Sequence, residues 1–267
     1  MSEGNSHDAD NGIYAHASVK EALKLIYGSK CAYCECLIEA QADRRVDHYR
    51  PRHARDRGDA HPGYYWLTYE WSNLVLTCAA CNNKKSNQFP VTGTRVVTPP
   101  RDVREWHPDS KRMRGEQPLL LNPEIDLPEE HLQFLPDGRI QALNNSQRGN
   151  KTIDICRLDR EELDLTRKKL IDDFRDDLKK QLLILIDQYN RGFYKTPHEF
   201  HEAMILGFKT IVDKIRDAGQ PARPFSRVGW YINHDPERFL LACIPAGEPR
   251  EIVREALRRC GLAVSRQ

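Results

Sequence analysis

Four of the eight cysteines fall into two C-x-x-C pairs, Cys31/Cys34 and Cys78/Cys81. Two such pairs separated by a long insert can close four thiolates around one tetrahedral Zn²⁺. A closed four-sulfur shell leaves no open coordination position, so that ion would brace the fold rather than act on a substrate. Cys36 follows the first pair as a fifth cysteine, either spare or an alternative ligand. Small core residues are the simpler reading of any single cysteine, but two pairs at matching spacing favour zinc. Between the pairs stands Val46-Asp47-His48, then Trp71-Ser72-Asn73-Leu74, and the second pair runs on into Asn82-Asn83-Lys84-Lys85. Arginines crowd the histidine: Arg44, Arg45, Arg50, Arg52, Arg55 and Arg57, against Asp47 and Asp56. A charge run alone is usually a solvated face; one that surrounds a histidine favours phosphate binding.

Taken in order, the zinc frame, Asp47-His48, Asn73 and Asn82 resemble the HNH endonuclease family in its D-H…N…N form. The interval of nine positions (82 − 73) between the two asparagines is the one that family requires. The resemblance covers Cys31 to about Pro90. It implies a ββα-metal module that hydrolyses phosphodiester bonds, with DNA as the expected substrate. Such a reaction needs a base to deprotonate water and positive charge at the phosphate. By resemblance His48 is the general base, and an unperturbed imidazole is largely neutral at pH 7. Asp47 and Asn82 offer hard oxygen ligands for a catalytic Mg²⁺ or Mn²⁺. Asn73 is grouped with His48 in the catalytic set, where it would hold the His48 loop in place. The family often has histidine where Asn82 stands; asparagine argues for a hard metal. Arg50, Arg52, Lys84 and Lys85 are the expected nucleic-acid contacts.

Further segments sharpen the likeness. His48-Tyr49-Arg50-Pro51-Arg52, the run from Tyr65 to Leu74, Asn87-Gln88-Phe89-Pro90, Leu119 to Pro123, Glu130-His131-Leu132, and Thr152 to Ile155 followed by Leu158-Asp159-Arg160 are similar to the PtuB-like HNH proteins of Septu and some retron anti-phage systems. That resemblance implies a partner ATPase, PtuA-like. No G-x-x-x-x-G-K-[ST] occurs in this chain, so the ATPase is expected as a separate subunit. The alternatives are a zinc-braced nucleic-acid-binding module without cleavage, and a stand-alone restriction-type HNH nuclease. A base together with two metal ligands exceeds what binding alone requires.

These residues need elements to hold them. The fold class expected is α+β: an HNH module braced by a Cys₄ zinc site, followed by a mainly α-helical C-terminal region. The expected division is a disordered tail at 1–15, the module at 16–100, a basic connector at 101–118 with Arg101, Arg104, Lys111, Arg112 and Arg114, and a helical region at 119–267 suited to a partner or a second copy of this chain. Val19, Ala22, Leu23 and Ile26 predict a helix over 16–28, stopped by Gly28. Asp47-His48 belongs near a strand end and Leu74–Thr77 to a second strand, with a short helix after it. His131–Leu135 and Arg139–Leu143 flank a Pro136-Asp137-Gly138 turn and predict a hairpin. Asp159 and Glu162 suggest a capping box for a helix to about Asn190, with a stripe of Leu163, Leu170, Phe174, Leu178, Leu182, Leu185 and Tyr189. Further helices are expected from Thr196-Pro197 to Gly219 and from Pro249 to Gly261.

The 267 residues carry a net charge of only +2, so the global charge says little about nucleic acid. Mean hydropathy is −0.69, and no apolar run reaches the roughly 18 residues of a membrane span. The polar start, Met1 to Gly12, is unlike a secretory signal, which points to the cytoplasm and away from disulfides. His198-Glu199-x-His201 has the wrong interval for a zincin and reads as an exposed helix start. Cys156, Cys243 and Cys260 read as core. Trp66, Tyr69 and Trp71 could stack on bases; packing is the preferred reading for Trp71.

Overall fold

The computed structural model describes residues 10–54 and 61–263, so Arg55, Arg57 and the first nine residues of the expected tail lie outside the described residues. The chain divides into two compact units: residues 1–133 with 141–159, and residues 134–140 with 160–267. The division therefore falls near 160 and not at the expected 118/119. The segment after the basic connector is bound into the first unit. The Tyr49 hydroxyl donates to the Leu120 carbonyl at 2.7 Å, Leu119 N to Pro90 O at 2.9 Å, and Leu121 N to Thr152 Oγ1 at 2.9 Å.

The first unit opens with a short helix, α1 (Asn11–Tyr14), where a disordered tail was expected. Helix α2 (Ala17–Tyr27) follows, capped by Gly28 in the left-handed region at φ 60°, and buries Leu23. Strand β1 (Arg44–His48) pairs antiparallel with β2 (Leu74–Cys78), in a register that sets Arg44 opposite Cys78 and His48 opposite Leu74. Leu74, Val75, Leu76 and Thr77 are all buried, because both faces of this two-stranded sheet are covered. Helix α3 (Ala79–Lys85) leaves β2 directly, with Cys78 at its N-cap. Helix α4 (Lys111–Arg114) lies in the basic stretch, and β3 (Leu132–Phe134) and β4 (Ile140–Ala142) form the expected hairpin. Helix α5 (Gln147–Cys156), which no periodicity announced, packs on α3 and buries Thr152, Ile155 and Cys156.

The second unit is helical. Helix α6 (Glu161–Asn190) has 30 residues, about 45 Å at 1.5 Å each. Its buried stripe is Leu163, Arg167, Ile171, Phe174, Leu178, Leu182 and Leu185. Leu170 is only half-buried and Tyr189 is exposed, so the expected stripe was one position off at its centre and one residue too long. The capping box is absent: the N-cap is Arg160, with no side-chain cap, and the acidic first turn of Glu161, Glu162 and Asp164 complements the helix dipole instead. Helix α7 (Pro197–Ala218) is capped by Thr196 as expected, and His198 and His201 lie exposed on its first turns. Helices α8 (Ser226–His234) and α10 (Glu248–Arg259) pack on α7, with the short α9 (Pro236–Phe239) between them in the chain. Gly229 lets α8 reach the end of α7, since a β-carbon there would lie 2.3 Å from the Ala218 carbonyl oxygen. No helix among the described residues is long and apolar enough to cross a membrane.

Candidate active site and metal centre

Four sulfurs meet where β2 passes into α3. The ligand atoms of Cys31, Cys34, Cys78 and Cys81 lie within 4.8 Å of one another. The first pair rides a tight turn in which Cys31 N donates to Cys36 O at 2.9 Å and Glu35 takes φ +59°. Hydrogen bonding with Cys31, the foremost of several thiol contacts, lowers the pKa of Cys34 and of Cys78. The thiolate is the form that ligates. Four soft donors in one cluster, three of them buried, fit a tetrahedral zinc.

The other end of β1 holds the catalytic candidates. Successive strand residues point to opposite faces, so Asp47 and His48 part company. His48 is 8% exposed, and its Nε2 lies 3.0 Å from the Thr68 carbonyl. A carbonyl only accepts, so Nε2 carries the hydrogen and Nδ1 is the lone-pair nitrogen. Burial, first of all, pushes the imidazole pKa down to about 4, and the charges of Arg52 and Lys85 add to the fall. The ring is therefore neutral at physiological pH. Tyr14 of α1 covers it edge-on, with ring centroids 4.7 Å apart, and the Arg52 guanidinium lies 5.0 Å over the Tyr14 ring.

Asp47 turns inward. Its Oδ2 accepts from the Tyr33 hydroxyl at 2.9 Å and faces Lys85 Nζ at 3.0 Å. Burial raises the carboxyl pKa, and the Lys85 ammonium and the Tyr33 hydroxyl oppose the rise. Asn82 is half-buried on α3, one helical turn before Lys85 and so on the same face. A carboxylate and an amide oxygen are the hard donors that a divalent cation of the Mg²⁺ class takes. Two carboxylate oxygens offer about four lone-pair positions; Tyr33 takes one, and Lys85, at 3.3 Å from Oδ1 and 3.0 Å from Oδ2, two more. The donor set fits, with Lys85 as a competitor for it.

Two of the expected nucleic-acid contacts are not surface residues. Lys85 is wholly buried, and Nζ also donates to the His48 carbonyl at 2.8 Å. Arg50 is 1% exposed and pairs through Nε with Glu116 Oε2 at 2.8 Å, while Nη2 donates to Met113 O at 3.0 Å. Both cations serve the interior. Arg44, in the same run, pairs with Glu21 at 2.8 Å. Arg52 is half-buried and Lys84 exposed, so these two, unlike Arg50 and Lys85, are not enclosed in the interior. Asn73 also takes a more limited part than a catalytic residue. Its Oδ1 accepts from Arg50 N at 2.8 Å, and its Nδ2 donates to the carbonyls of Arg50 at 3.1 Å and Leu67 at 3.2 Å. It is a buried clamp on the chain leaving His48, hence a positioning residue. Gly63, at φ +93°, lies so close to the His53 backbone that a β-carbon would stand 2.4 Å from it.

The residues that sequence reasoning missed are Tyr14, Tyr33, Thr68 and Glu116. Thr68 acts through its backbone, which carries no side-chain signal. Glu116 was legible in principle, as an acid directly after the basic stretch. Trp71, read as packing, is 44% exposed, whereas Trp66 is buried. A cavity of about 450 Å³ is lined by His53, Asn87, Gln88, Arg95 and Lys151 among others.

This hairpin, helix and histidine define an HNH domain, and residues 31–88 match the family model of HNH endonucleases. The chain is PtuB-like in sequence. It is 37% identical over 174 residues to the Septu protein PtuB of Bacillus mycoides (strain KBAB4), covering 62% of this chain and 55% of that one. It is 24% identical over 187 residues to the Septu protein PtuB of Bacillus thuringiensis, covering 70% and 58%. A third match, 30% identical over 162 residues, is to the Septu protein PtuA of the same B. mycoides strain and covers 59% of this chain but 21% of the relative. The chain thus spans just over half the length of the two PtuB relatives and about a fifth of the PtuA one. No solved structure matches it.

Proposed function

We propose that this chain is a metal-dependent HNH endonuclease that cleaves nucleic acid, with DNA as the expected substrate, as the nuclease of an anti-phage defence complex. The observation that carries the reading is the state of His48. Its Nε2–H is spent on the Thr68 carbonyl, so a neutral ring presents Nδ1 as a base at the end of β1. His48 takes the proton from the attacking water. Asn73 keeps it in position through the Arg50 and Leu67 backbone. Arg52 and Lys84 meet the phosphates; Arg95 and Lys151 line a separate cavity of the same unit. Asp47 and Asn82 hold Mg²⁺ or Mn²⁺, which when bound would supply Lewis acidity at the phosphate and leaving oxygen. Zinc at the four cysteines braces the module.

The proposed partner is a separate PtuA-like ATPase, with the helical second unit as its docking region or as a contact between copies. A stretch like this chain makes up 21% of a relative named PtuA, which supports a functional link between the two. A cytoplasmic location belongs to the same proposal.

One observation favours the binding-only alternative: Lys85 already neutralises Asp47. The same assay separates the two. Cleavage of plasmid and linear DNA is measured in chelator, then with Mg²⁺ or Mn²⁺ restored, for the parent protein and His48→Ala. Loss of a general base costs about 10²–10⁴-fold, with nucleic-acid binding retained. Equal cleavage by the variant removes His48 from the role. No cleavage by the parent under any metal, alone or with the ATPase, leaves the binding module.

A further inference from the structure

The zinc site has more sulfur than it needs. Two sulfurs on one tetrahedral zinc stand about 3.8 Å apart when each Zn–S bond is about 2.3 Å. Cys34 and Cys78 meet that measure, with Sγ atoms 3.8 Å apart. Cys36 does not: its Sγ lies 3.2 Å from that of Cys34. The edge is too short for Cys34 and Cys36 to occupy two corners of the same tetrahedron. Cys36 thus stands at the Cys34 edge of the cluster, beside the four sulfurs that lie within 4.8 Å of one another and outside that set. The turn that brings it there is local: Cys31 N bonds the Cys36 carbonyl, Lys30 bridges Leu37, and Glu35 holds the left-handed conformation. Cys36, like Cys78, is half-buried, whereas Cys31, Cys34 and Cys81 are buried, so Cys36 and Cys78 are the more open sulfurs of the group.

We infer that Cys34 and Cys36 are alternative ligands for a single corner of the zinc site, with Cys31, Cys78 and Cys81 holding the other three. Zinc has no geometric preference from its d-electrons, so either thiolate satisfies it equally once the backbone delivers the sulfur. In the exchange one Zn–S bond breaks as the other forms, the incoming thiol gives up its proton and the departing thiolate takes one up from solvent, so charge and coordination number are unchanged and no oxidant is needed. It makes one corner of an otherwise closed site replaceable from the solvent side.

The test uses the purified full-length protein with its zinc. Native mass spectrometry counts zinc per chain in Cys34→Ser, Cys36→Ser, the double variant and Cys31→Ser. Each of the first two is expected to keep about one zinc, and the double variant and Cys31→Ser to lose it. Cobalt substitution supplies a second count, because the thiolate-to-metal band of Cys34→Ser should keep its four-sulfur intensity. Loss of zinc from Cys34→Ser alone, as from Cys31→Ser, overturns the inference. So does retention of zinc by the double variant. Should the variants not fold, thiol alkylation of the unaltered zinc-loaded protein decides. Both Cys34 and Cys36 peptides are expected to be labelled in part, while Cys31 and Cys81 stay protected. Full labelling of Cys36 with none of Cys34 makes Cys36 a bystander and refutes the assignment.

Discussion

Arg50→Ala is the substitution whose outcome differs most between a phosphate-binding arginine and a buried one. Arg50 and Glu116 are 1% and 0% exposed at the side chain. Glu116 also accepts from the Tyr64 hydroxyl at 2.7 Å and from Val96 N at 2.9 Å. The guanidinium is packed among the rings of Tyr49, Tyr64 and Phe89, 5.2 to 6.0 Å from their centroids. Removing one partner of such a pair leaves a carboxylate in the interior without its counter-charge, at a cost of roughly 3–5 kcal/mol. For a unit of about 150 residues each kcal/mol moves Tm by about 2–4 °C, so the expected fall is on the order of 10 °C. Arg50→Met with Glu116→Leu should recover part of it, because replacing both charges removes the stranded one. The recovery is incomplete, since Tyr64 and Val96 lose their acceptor. A phosphate contact behaves otherwise: it leaves Tm alone and lowers the slope of log affinity against log salt by about 0.9. Calorimetry and a salt titration of DNA binding measure the two effects. An unchanged Tm together with a slope reduced by about one would refute the burial argument.

Two further outcomes follow from the same geometry. In chelator-treated protein the His48 ring should titrate near 4 by NMR. Because the folded pKa lies below the unfolded value of 6.5, the unfolded chain takes the proton first as pH falls. Stability is thus full above about 6.5 and declines by roughly 3 kcal/mol as pH drops through 4; a midpoint near 6.5 contradicts the burial of the ring. Tyr14→Ala strips the ring that covers His48, so diethyl pyrocarbonate should modify His48 severalfold faster than in the parent, and an unchanged rate would mean that Tyr14 does not shield it.

The order of chemical groups along the chain was legible because spacing encodes it. The two C-x-x-C pairs suggested one metal cluster by spacing alone, and the Asp-His step with two asparagines nine positions apart did so for the site only through the resemblance to HNH endonucleases. Burial was not legible in the same way. Arg50 and Lys85 stand among surface-type residues, and lysine and arginine are almost never fully buried unless paired. The pairing partners lie 66 and 38 positions away, beyond any local pattern. In α6 the stripe was misread at Leu170 because a buried Arg167, whose guanidinium lies 5.3 Å over Phe134, takes a position that an apolar residue would mark. The capping box at Asp159 and Glu162 failed for a related reason. Glu161, Glu162 and Asp164 offer several acids near one helix start, and composition alone does not say which residue turns the chain.

The two ends of the β1–β2 ladder are held by different chemistry. A two-stranded ribbon is marginal in water unless something packs on it or ties it. At one end Arg44 faces Cys78, and the cysteine cluster ties the β2–α3 junction to the turn at Cys31. That end is where the four sulfurs gather. His48 and Leu74 form the opposite end, about 14 Å away along four residue steps and out of reach of the cysteine cluster. There the ladder is closed by polar side chains: Asn73 on the Arg50 and Leu67 backbone, Lys85 on the His48 carbonyl, and Arg50 on Glu116. Such a network gains little net stability over an apolar core, but it has few alternative arrangements that satisfy every donor. A general base needs a fixed geometry more than it needs extra stability, because its hydrogen-bond reach to the attacking water spans only a few tenths of an ångström. The buried cations near His48 thus answer the question that their sequence positions raised: Lys85 holds the His48 carbonyl and Arg50 pairs with Glu116 in the interior, whereas among the described residues of the same runs Arg45 and Lys84 are exposed and Arg52 is half-buried.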